Sequence, residues 1–416
     1  MGCPRNLVDS ETILSRLFRK GYTIGDIDGS DVAVVNTCAF VEDAKKESID
    51  VILDLIDLKK EGKLRKIIVC GCLSQRYKDE LRKELPEVDA FVGRLALPGS
   101  KRLFSLTPKH YEYLKICEGC INTCSYCVIP GIKSAFTSET VDSIIGKVKD
   151  ADRRRVSELN IIGQDITGYG IDLFGSFKLE NLLKDVVRHA RRIGWIRLLY
   201  LYPTRVSDEL LAVMRDNPQV CRYIDIPIQH CSDRILKLMN RRMTKKDIIG
   251  ILQKVRKSIP GVALRTAVIT GFPSETDKEF KEMLAFISEM KFERLGAFMY
   301  SREEGTNAFH LKKQVPKHIK EARFNRIMLE QQKVSRENNA KLMGKVLSVL
   351  IDSEENGVYL GRTEYDAPEV DGTVYVSSAT RLSPGEFVKV EINDTMEYDL
   401  SGSVVGKEAK DREFGK

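Results

Sequence analysis

The run Cys120-Ile-Asn-Thr-Cys124-Ser-Tyr-Cys127 limits what this chain can fold around more than any other feature. Thiolates spaced C-x3-C-x2-C can hold three irons of a cubane [4Fe–4S] cluster, a cofactor usually held by four cysteines. The fourth iron is then open to a small molecule. S-adenosylmethionine fits that opening through its amino and carboxylate groups, and radical chemistry is work that proteins hand to such cofactors. Cys117, just upstream, keeps a closed four-thiolate zinc or iron–sulfur site as the alternative. Tyr126, beside the last thiol, would shield a cluster or pack on an adenine, or simply join the core.

Ten cysteines in 416 residues, with no secretory signal, point to metal or catalysis rather than to disulfides. No apolar run approaches the roughly 20 residues that span a bilayer, and the N-terminus is too charged for a signal peptide. A cytoplasmic protein is expected. Its length suits two to three domains, at about 150 residues each. Charge is unevenly spread. Residues 342–406 carry twelve Asp/Glu against four Lys/Arg, a net −8, whereas the first 341 residues carry +14. The acidic module would repel a phosphate backbone and attract a basic protein, unless it is an ordinary solvated surface.

The first segment alternates strands and helices. Residues 31–38 and 66–72 read as buried strands, with helices over 41–58 and 75–85, which implies a small parallel sheet spanning residues 1–97. Ligands gather beyond the C-terminal ends of such strands. Cys3, Cys38 and Cys72 all fall at strand ends or turns, so they form either a second metal site or isolated thiols; Cys70 reads as core. Pro98 to Pro108 reads as a linker.

Six strand-like runs then recur, at 113–117, 159–163, 196–202, 223–228, 263–270 and 295–300. The helices between them include 179–192, 208–215, 245–257 and 276–290. This predicts a partial (β/α)6 barrel over residues 110–335, short of the eight strands that close a full one. Its lateral gap suits a macromolecular substrate. Reactive residues lie at C-terminal strand ends in such folds, which nominates Gln164 and Asp165, Tyr202 to Thr204, Gln229 and His230, Gly271 to Glu275, and Tyr300 to Glu303. Gln164, Gln229 and Arg265, together with Tyr126, are the candidate cofactor contacts. A charged helix over 317–341 leads to five short strands within 342–406, the pattern of an OB-like β-barrel. Residues 407–416 read as a disordered tail.

Read end to end, the chain resembles the radical-SAM methylthiotransferases, most closely the RimO type. The matching stretches are Gly2-Cys-Pro-Arg-Asn-Leu-Val-Asp-Ser-Glu, Asn36-Thr-Cys-Ala-Phe-Val-Glu-Asp-Ala, Gly71-Cys-Leu-Ser-Gln-Arg-Tyr and Glu118-Gly-Cys. Gly163-Gln-Asp-Ile-Thr-Gly-Tyr-Gly, Asp225-Ile-Pro-Ile-Gln-His, Tyr300-Ser-Arg-Glu-Glu-Gly-Thr and Ala367-Pro-Glu-Val-Asp-Gly extend the match to about residue 405. The resemblance implies an N-terminal three-cysteine domain, a radical-SAM barrel and a C-terminal TRAM module. It assigns Cys3, Cys38 and Cys72 to an auxiliary [4Fe–4S] cluster, and Cys120, Cys124 and Cys127 to the radical-SAM cluster.

The implied activity uses S-adenosylmethionine both to methylate a sulfur and, after one-electron cleavage, to abstract hydrogen from an unactivated carbon. That C–H bond is too weakly acidic for general-base chemistry. The RimO type implies the β-carbon of an aspartate in small-subunit ribosomal protein twelve, with an electron donor such as flavodoxin or ferredoxin. The alternative is the MiaB type, which modifies an adenosine in tRNA. Pro-Arg-Asn after Cys3, Ala39-Phe40 after Cys38 and the acidic module favour the protein substrate over tRNA. A binding-only relative is opposed by the presence of all six ligand cysteines.

Three departures from the family pattern stand out. A strand usually precedes the first cysteine motif, so the native start is expected upstream of Met1. Thr137 and Glu139 replace two arginines, with an expected loss of positive charge beside the cluster. Ser274 replaces a glycine and needs a compatible backbone angle.

Overall fold

A computed structural model describes residues 2–94, 103–133 and 135–406. The expected tail at 407–416 and the start of the linker, 98–102, lie outside the described residues. The chain opens with a helix that the sequence reading overlooked, α1 (Pro4–Arg19), with Pro4 in the first helical turn and Cys3 as its N-cap. Proline suits that position because its missing N–H would have had no helical partner. Next come β1 (Val32–Thr37), α2 (Glu42–Lys60) and β2 (Lys66–Gly71). The helix expected over 75–85 is instead split into α3 (Cys72–Arg76) and α4 (Lys78–Glu84), ahead of β3 (Ala90–Phe91). The three strands pair in parallel in the order β1-β2-β3. Ile52, Ile56, Ile67, Val69 and Leu73 form their core.

The central unit begins with β4 (Tyr111–Lys115), β5 (Cys117–Glu118), α5 (Ile129–Ile132), β6 (Thr137–Ser138) and α6 (Val141–Arg153). It continues through β7 (Glu158–Ile162), α7 (Ile171–Phe174), α8 (Leu179–His189), β8 (Trp195–Leu198), α9 (Asp208–Asp216) and β9 (Val220–Asp225). The last elements are α10 (Asp233–Leu238), α11 (Lys245–Ser258), β10 (Ala263–Thr270), α12 (Asp277–Met290), β11 (Arg294–Met299) and α13 (Lys317–Ala340). Six strands pair side by side in the order β11-β10-β9-β8-β7-β4, an open half-barrel. Alternate strand residues point outward, as the two-residue period requires. Leu114, Ile161, Leu198, Ile224 and Leu264 meet Ile144, Leu183, Leu211, Leu252 and Phe286 of the helices. Reciprocal capping boxes, Thr244 with Asp247 and Thr276 with Glu279, fix the starts of α11 and α12, each worth about 1 kcal/mol.

The third unit is a closed barrel of β12 (Val346–Glu355), β13 (Val358–Thr363), β14 (Val374–Ser377), β15 (Phe387–Thr395) and β16 (Leu400–Gly406), in the order β12-β13-β14-β16-β15. It is docked against the inner face of the half-barrel. Arg197 donates to Glu364 O at 2.7 Å, Tyr111 Oη to Glu369 at 2.8 Å and Tyr223 Oη to Asp371 at 2.6 Å. Arg294 is ion-paired with Asp366 at 2.5 Å, and His110 meets Asp352 at 2.8 Å. Asp352, Asp366 and Asp371 of this module thus face His110, Arg294 and Arg265 of the half-barrel, so its net charge says less about a partner than the sequence suggested. Among the described residues no helix is long and apolar enough to cross a membrane.

Three strand ends of the half-barrel carry backbone strain. Tyr200 follows β8 with φ 67°, Gln229 lies beyond β9 with φ 70°, and Ser274 follows β10 with φ 66°. A non-glycine residue pays about 1–2 kcal/mol in this region. Ser274 is nonetheless held there by its N–H donating to Lys313 O at 2.8 Å and by Arg234 reaching its hydroxyl at 3.1 Å. Ser274→Gly should raise stability by about 0.5–1 kcal/mol, read as a higher denaturant midpoint; an unchanged or lower midpoint would mean that the Arg234 contact outweighs the strain.

Candidate functional site

Cys3, Cys38 and Cys72 come from the start of α1, the end of β1 and the end of β2. Paired amides lock the first two elements together: Asn6 Nδ2 donates to Asn36 O at 3.2 Å and Asn36 Nδ2 to Asn6 O at 3.0 Å. Gly71 turns the chain into Cys72 with φ 95°, and a Cβ there would lie 2.4 Å from Asn36 Oδ1. Gly2 packs so tightly that a Cβ on it would lie 3.0 Å from Cys38 Cβ and 3.4 Å from Cys38 Sγ. The Cys72 thiol feels the charge of Cys38 and Cys3, and the Cys38 thiol that of Cys3. Burial pushes Cys72 up to about 11, against the pull of Lys133. For Cys3 burial acts the same way, but Arg5 more than offsets it and holds the thiol below its ordinary value.

Cys120, Cys124 and Cys127 lie on the loop between β5 and α5. Ser125 N–H donates to Met239 O at 2.9 Å and Ala308 N–H to Ser125 O at 2.7 Å, clamping the loop to the end of α10 and to the helical turn beyond β11. Asn122 Nδ2 donates to Cys120 Sγ at 3.3 Å and to Asp165 Oδ2 at 2.7 Å. Asp165 also accepts from Thr167 N–H at 3.0 Å and is ion-paired with Arg205, which reaches Asn122 Oδ1 at 3.0 Å. Arg241 approaches Cys124 Sγ at 3.9 Å and the Tyr126 hydroxyl at 3.4 Å. Tyr202 is sandwiched between Arg205 and Arg241, 4.4 and 4.7 Å from its ring centre. Burial raises Cys127 to about 12 and also raises Cys120. Burial thus favours the neutral form of Cys72, Cys120 and Cys127, and metal binding there would displace their protons.

Cys117 stands apart from this triad. Its Sγ lies in the core, donating to Asp165 O at 3.7 Å, so close to Gly163 that a Cβ there would lie 2.4 Å from it. The closed four-cysteine alternative therefore loses its fourth ligand. Among the described residues no three His, Cys, Asp or Glu side chains close on one ion.

The candidate cofactor contacts fare unequally. Gln164 Nε2 donates to Glu118 Oε1 at 3.0 Å while its Oε1 is buried with no partner. Arg241 Nε and Tyr300 Oη are likewise buried and unpaired. Such orphans are costly unless a ligand or water meets them, and all three are on loops or ends around the cysteine loop. They fit the polar groups of a bound S-adenosylmethionine. Tyr126 packs against a cluster of Met239, Phe272 and Tyr300. Gln229 bridges in parallel to Val268 beyond the end of β9. Arg265 sits near the start of β10, 3.0 Å from Asp225 and 3.5 Å from Asp371 of the C-terminal barrel, because a buried guanidinium needs carboxylates. It ties the half-barrel to the C-terminal barrel.

The structure adds residues that the motifs alone did not single out: Arg5, Arg205 and Arg241. Arg205 ends the stretch Tyr202-Pro-Thr-Arg just past β8, where strand-end reasoning stopped one residue short. The basic residues near Thr137 and Glu139 are paired with carboxylates. Lys133 and Lys115 both hold Glu118, at 2.7 Å each. Glu139 serves locally, bound to Lys147 and Ser143 at 2.5 Å each. Asp165→Ala should strand the guanidinium of Arg205 and free Asn122, costing about 3 kcal/mol and the cluster absorbance of the Cys120 site. Wild-type stability and absorbance in that variant would show Asp165 to be dispensable.

Three family profiles match the chain in order: an uncharacterized protein family, UPF0004, over residues 1–93, the radical SAM superfamily over 114–287 and the TRAM domain over 343–405. Among curated relatives, the ribosomal protein uS12 methylthiotransferase RimO of Clostridioides difficile is 44% identical, over 97% of both chains. The protein of that name from Caldanaerobacter subterraneus is 45% identical over 97% of this chain and 98% of its own. Among solved structures, the radical S-adenosylmethionine methyltransferase TsrM of Kitasatospora setae superimposes with a TM-score of 0.51 at 12% identity, covering 86% of this chain and 77% of that one. That likeness concerns the fold.

Proposed function

The chain belongs to the RimO family of ribosomal protein uS12 methylthiotransferases, and from that premise we propose that it places a methylthio group on the β-carbon of an aspartate of uS12 in the cytoplasm. The observation that supports the reading is the junction between the two thiol triads: Arg5 donates to Cys3 Sγ at 3.3 Å and to Gly163 O at 3.0 Å, on the strand-end rim of the half-barrel that carries the second triad. Cys120, Cys124 and Cys127 would hold one [4Fe–4S] cluster and leave an iron for S-adenosylmethionine; Cys3, Cys38 and Cys72 would hold the second. When bound, these groups supply one-electron cleavage, hydrogen abstraction and a transferable sulfur. A flavodoxin- or ferredoxin-like donor would provide the electron.

The chain's own residues prepare that chemistry. Asn122 and Arg241 donate toward the sulfurs of Cys120 and Cys124, offsetting thiolate charge. Gln164 Oε1 and Tyr300 Oη are buried without a partner and would meet polar groups of the cofactor. Arg76 and Lys45 pair with Glu303 at 2.7 and 3.0 Å, which holds the first domain over the strand ends of the half-barrel. Holding both triads across this junction supplies the proximity that group transfer requires. The test is mass spectrometry of small-subunit ribosomal proteins and digested tRNA from cells with and without the gene. A methylthio increment on the uS12 aspartate that vanishes with the gene is expected. An unchanged uS12 with lost methylthio-adenosine would overturn the reading in favour of a tRNA enzyme.

A further inference from the structure

We propose that Arg5 is a positioning residue that sets the distance between the two cluster sites. Its guanidinium makes three different contacts at once. Nε donates to Cys3 Sγ at 3.3 Å, and Nη1 crosses to the half-barrel to donate to Gly163 O at 3.0 Å. The guanidinium carbon also lies 4.5 Å from the centre of the Tyr200 ring. Gly163 and Tyr200 follow the ends of β7 and β8, beside the loop that carries the second triad. Tyr200 is itself fixed, with φ 67° and its N–H donating to Asp225 Oδ2 at 3.0 Å. Arg5 thus ties a ligand of one triad to the rim that supports the other.

A planar fork with donors in fixed directions is suited to this work, and an ammonium is not: Lys cannot make two directed bonds and stack on a ring together. The charge matters as well. Two clusters ligated by thiolates repel one another at short range in a low-dielectric junction, and a cation between them reduces that repulsion. Sulfur transfer is sensitive to this spacing, since a misplacement of 1 Å costs about 10²-fold. Without the Arg5 clamp, hydrogen abstraction and sulfur delivery lose register.

The proposal rests on the two-cluster reading, and one experiment separates them. The reconstituted full chain, Arg5→Gln and Arg5→Lys are compared by iron content, by electron paramagnetic resonance of the reduced clusters and by 5′-deoxyadenosine formed per methylthio product. A wild-type chain holding a single cluster would overturn the two-cluster reading itself. With two clusters present, both variants are expected to alter the spin–spin interaction between them and to raise 5′-deoxyadenosine per product at least tenfold, with Arg5→Lys the milder. The spectroscopic change is one that loss of fold alone would not produce while iron content stays at the wild-type level. If Arg5→Gln loses the auxiliary cluster, Arg5→Lys, which keeps the charge, decides. Wild-type spin interaction and product ratio in Arg5→Lys, or in both variants, would overturn the proposal.

Discussion

Alanine at Cys3, Cys38 or Cys72 is expected to lower the iron content of the reconstituted chain from about eight atoms to about four and to abolish methylthio transfer. Cleavage of S-adenosylmethionine should persist, because Cys120, Cys124 and Cys127 lie on a separate loop of the half-barrel. The expected fall in product is more than 10³-fold, since no other group would supply the sulfur. Alanine at Cys70 or Cys117 gives the contrast. Both thiols are buried, 1% and 3% exposed, and neither joins a triad. Burial pushes Cys70 up to about 12, so it stays a neutral core thiol. These two variants should keep the full iron content. Full activity in Cys38→Ala, or iron loss in Cys70→Ala to the same degree, would contradict the assignment.

The second large effect concerns the junction between the half-barrel and the C-terminal barrel. Arg362 reaches Asp352 with two bonds, of 2.7 and 2.9 Å, and is ion-paired with Glu158 at 2.8 Å. Glu158 is fully buried and also accepts from Arg197 Nε at 2.9 Å. Removing one member of a buried ionic network leaves its partners charged and unpaired, which costs about 3–5 kcal/mol. Arg362→Ala should therefore lower stability by that amount and release the C-terminal barrel, seen as a shifted denaturation midpoint and faster proteolysis after residue 340. A loss below about 1 kcal/mol would place this network with ordinary surface pairs. Acid should weaken the same junction. Burial pushes the Asp352 carboxyl up, but His110 and Arg362 hold it below its ordinary value. Its stabilising contribution is full above about pH 4 and is lost as pH falls through the lowered value.

Much of the architecture was legible. β10 runs from Ala263 to Thr270, the bounds that its apolar run predicted, and all six half-barrel strands and five C-terminal strands lie within a few residues of expectation. These elements announce themselves because burial imposes a period on nearby residues. Helix α1 was missed although Pro4 marks its first turn, since the cysteine motif drew attention to Cys3 as a turn. Arg265 was legible as a basic residue near a strand end, but its carboxylate partners, Asp225 and Asp371, were not, because they come from another strand and from the C-terminal barrel.

The sequence by itself determined the spacing of Cys120, Cys124 and Cys127, the order of the three domains and the family, because spacing and motif are local properties of the chain. Only the tertiary structure decided what stands between the two cysteine triads and what holds the domains together. Arg5 meets Gly163 across 158 positions, and Arg197 meets Glu364 across 167. No periodicity encodes such pairs. They form only after strands and helices have packed, when each buried charge must find a partner already in place.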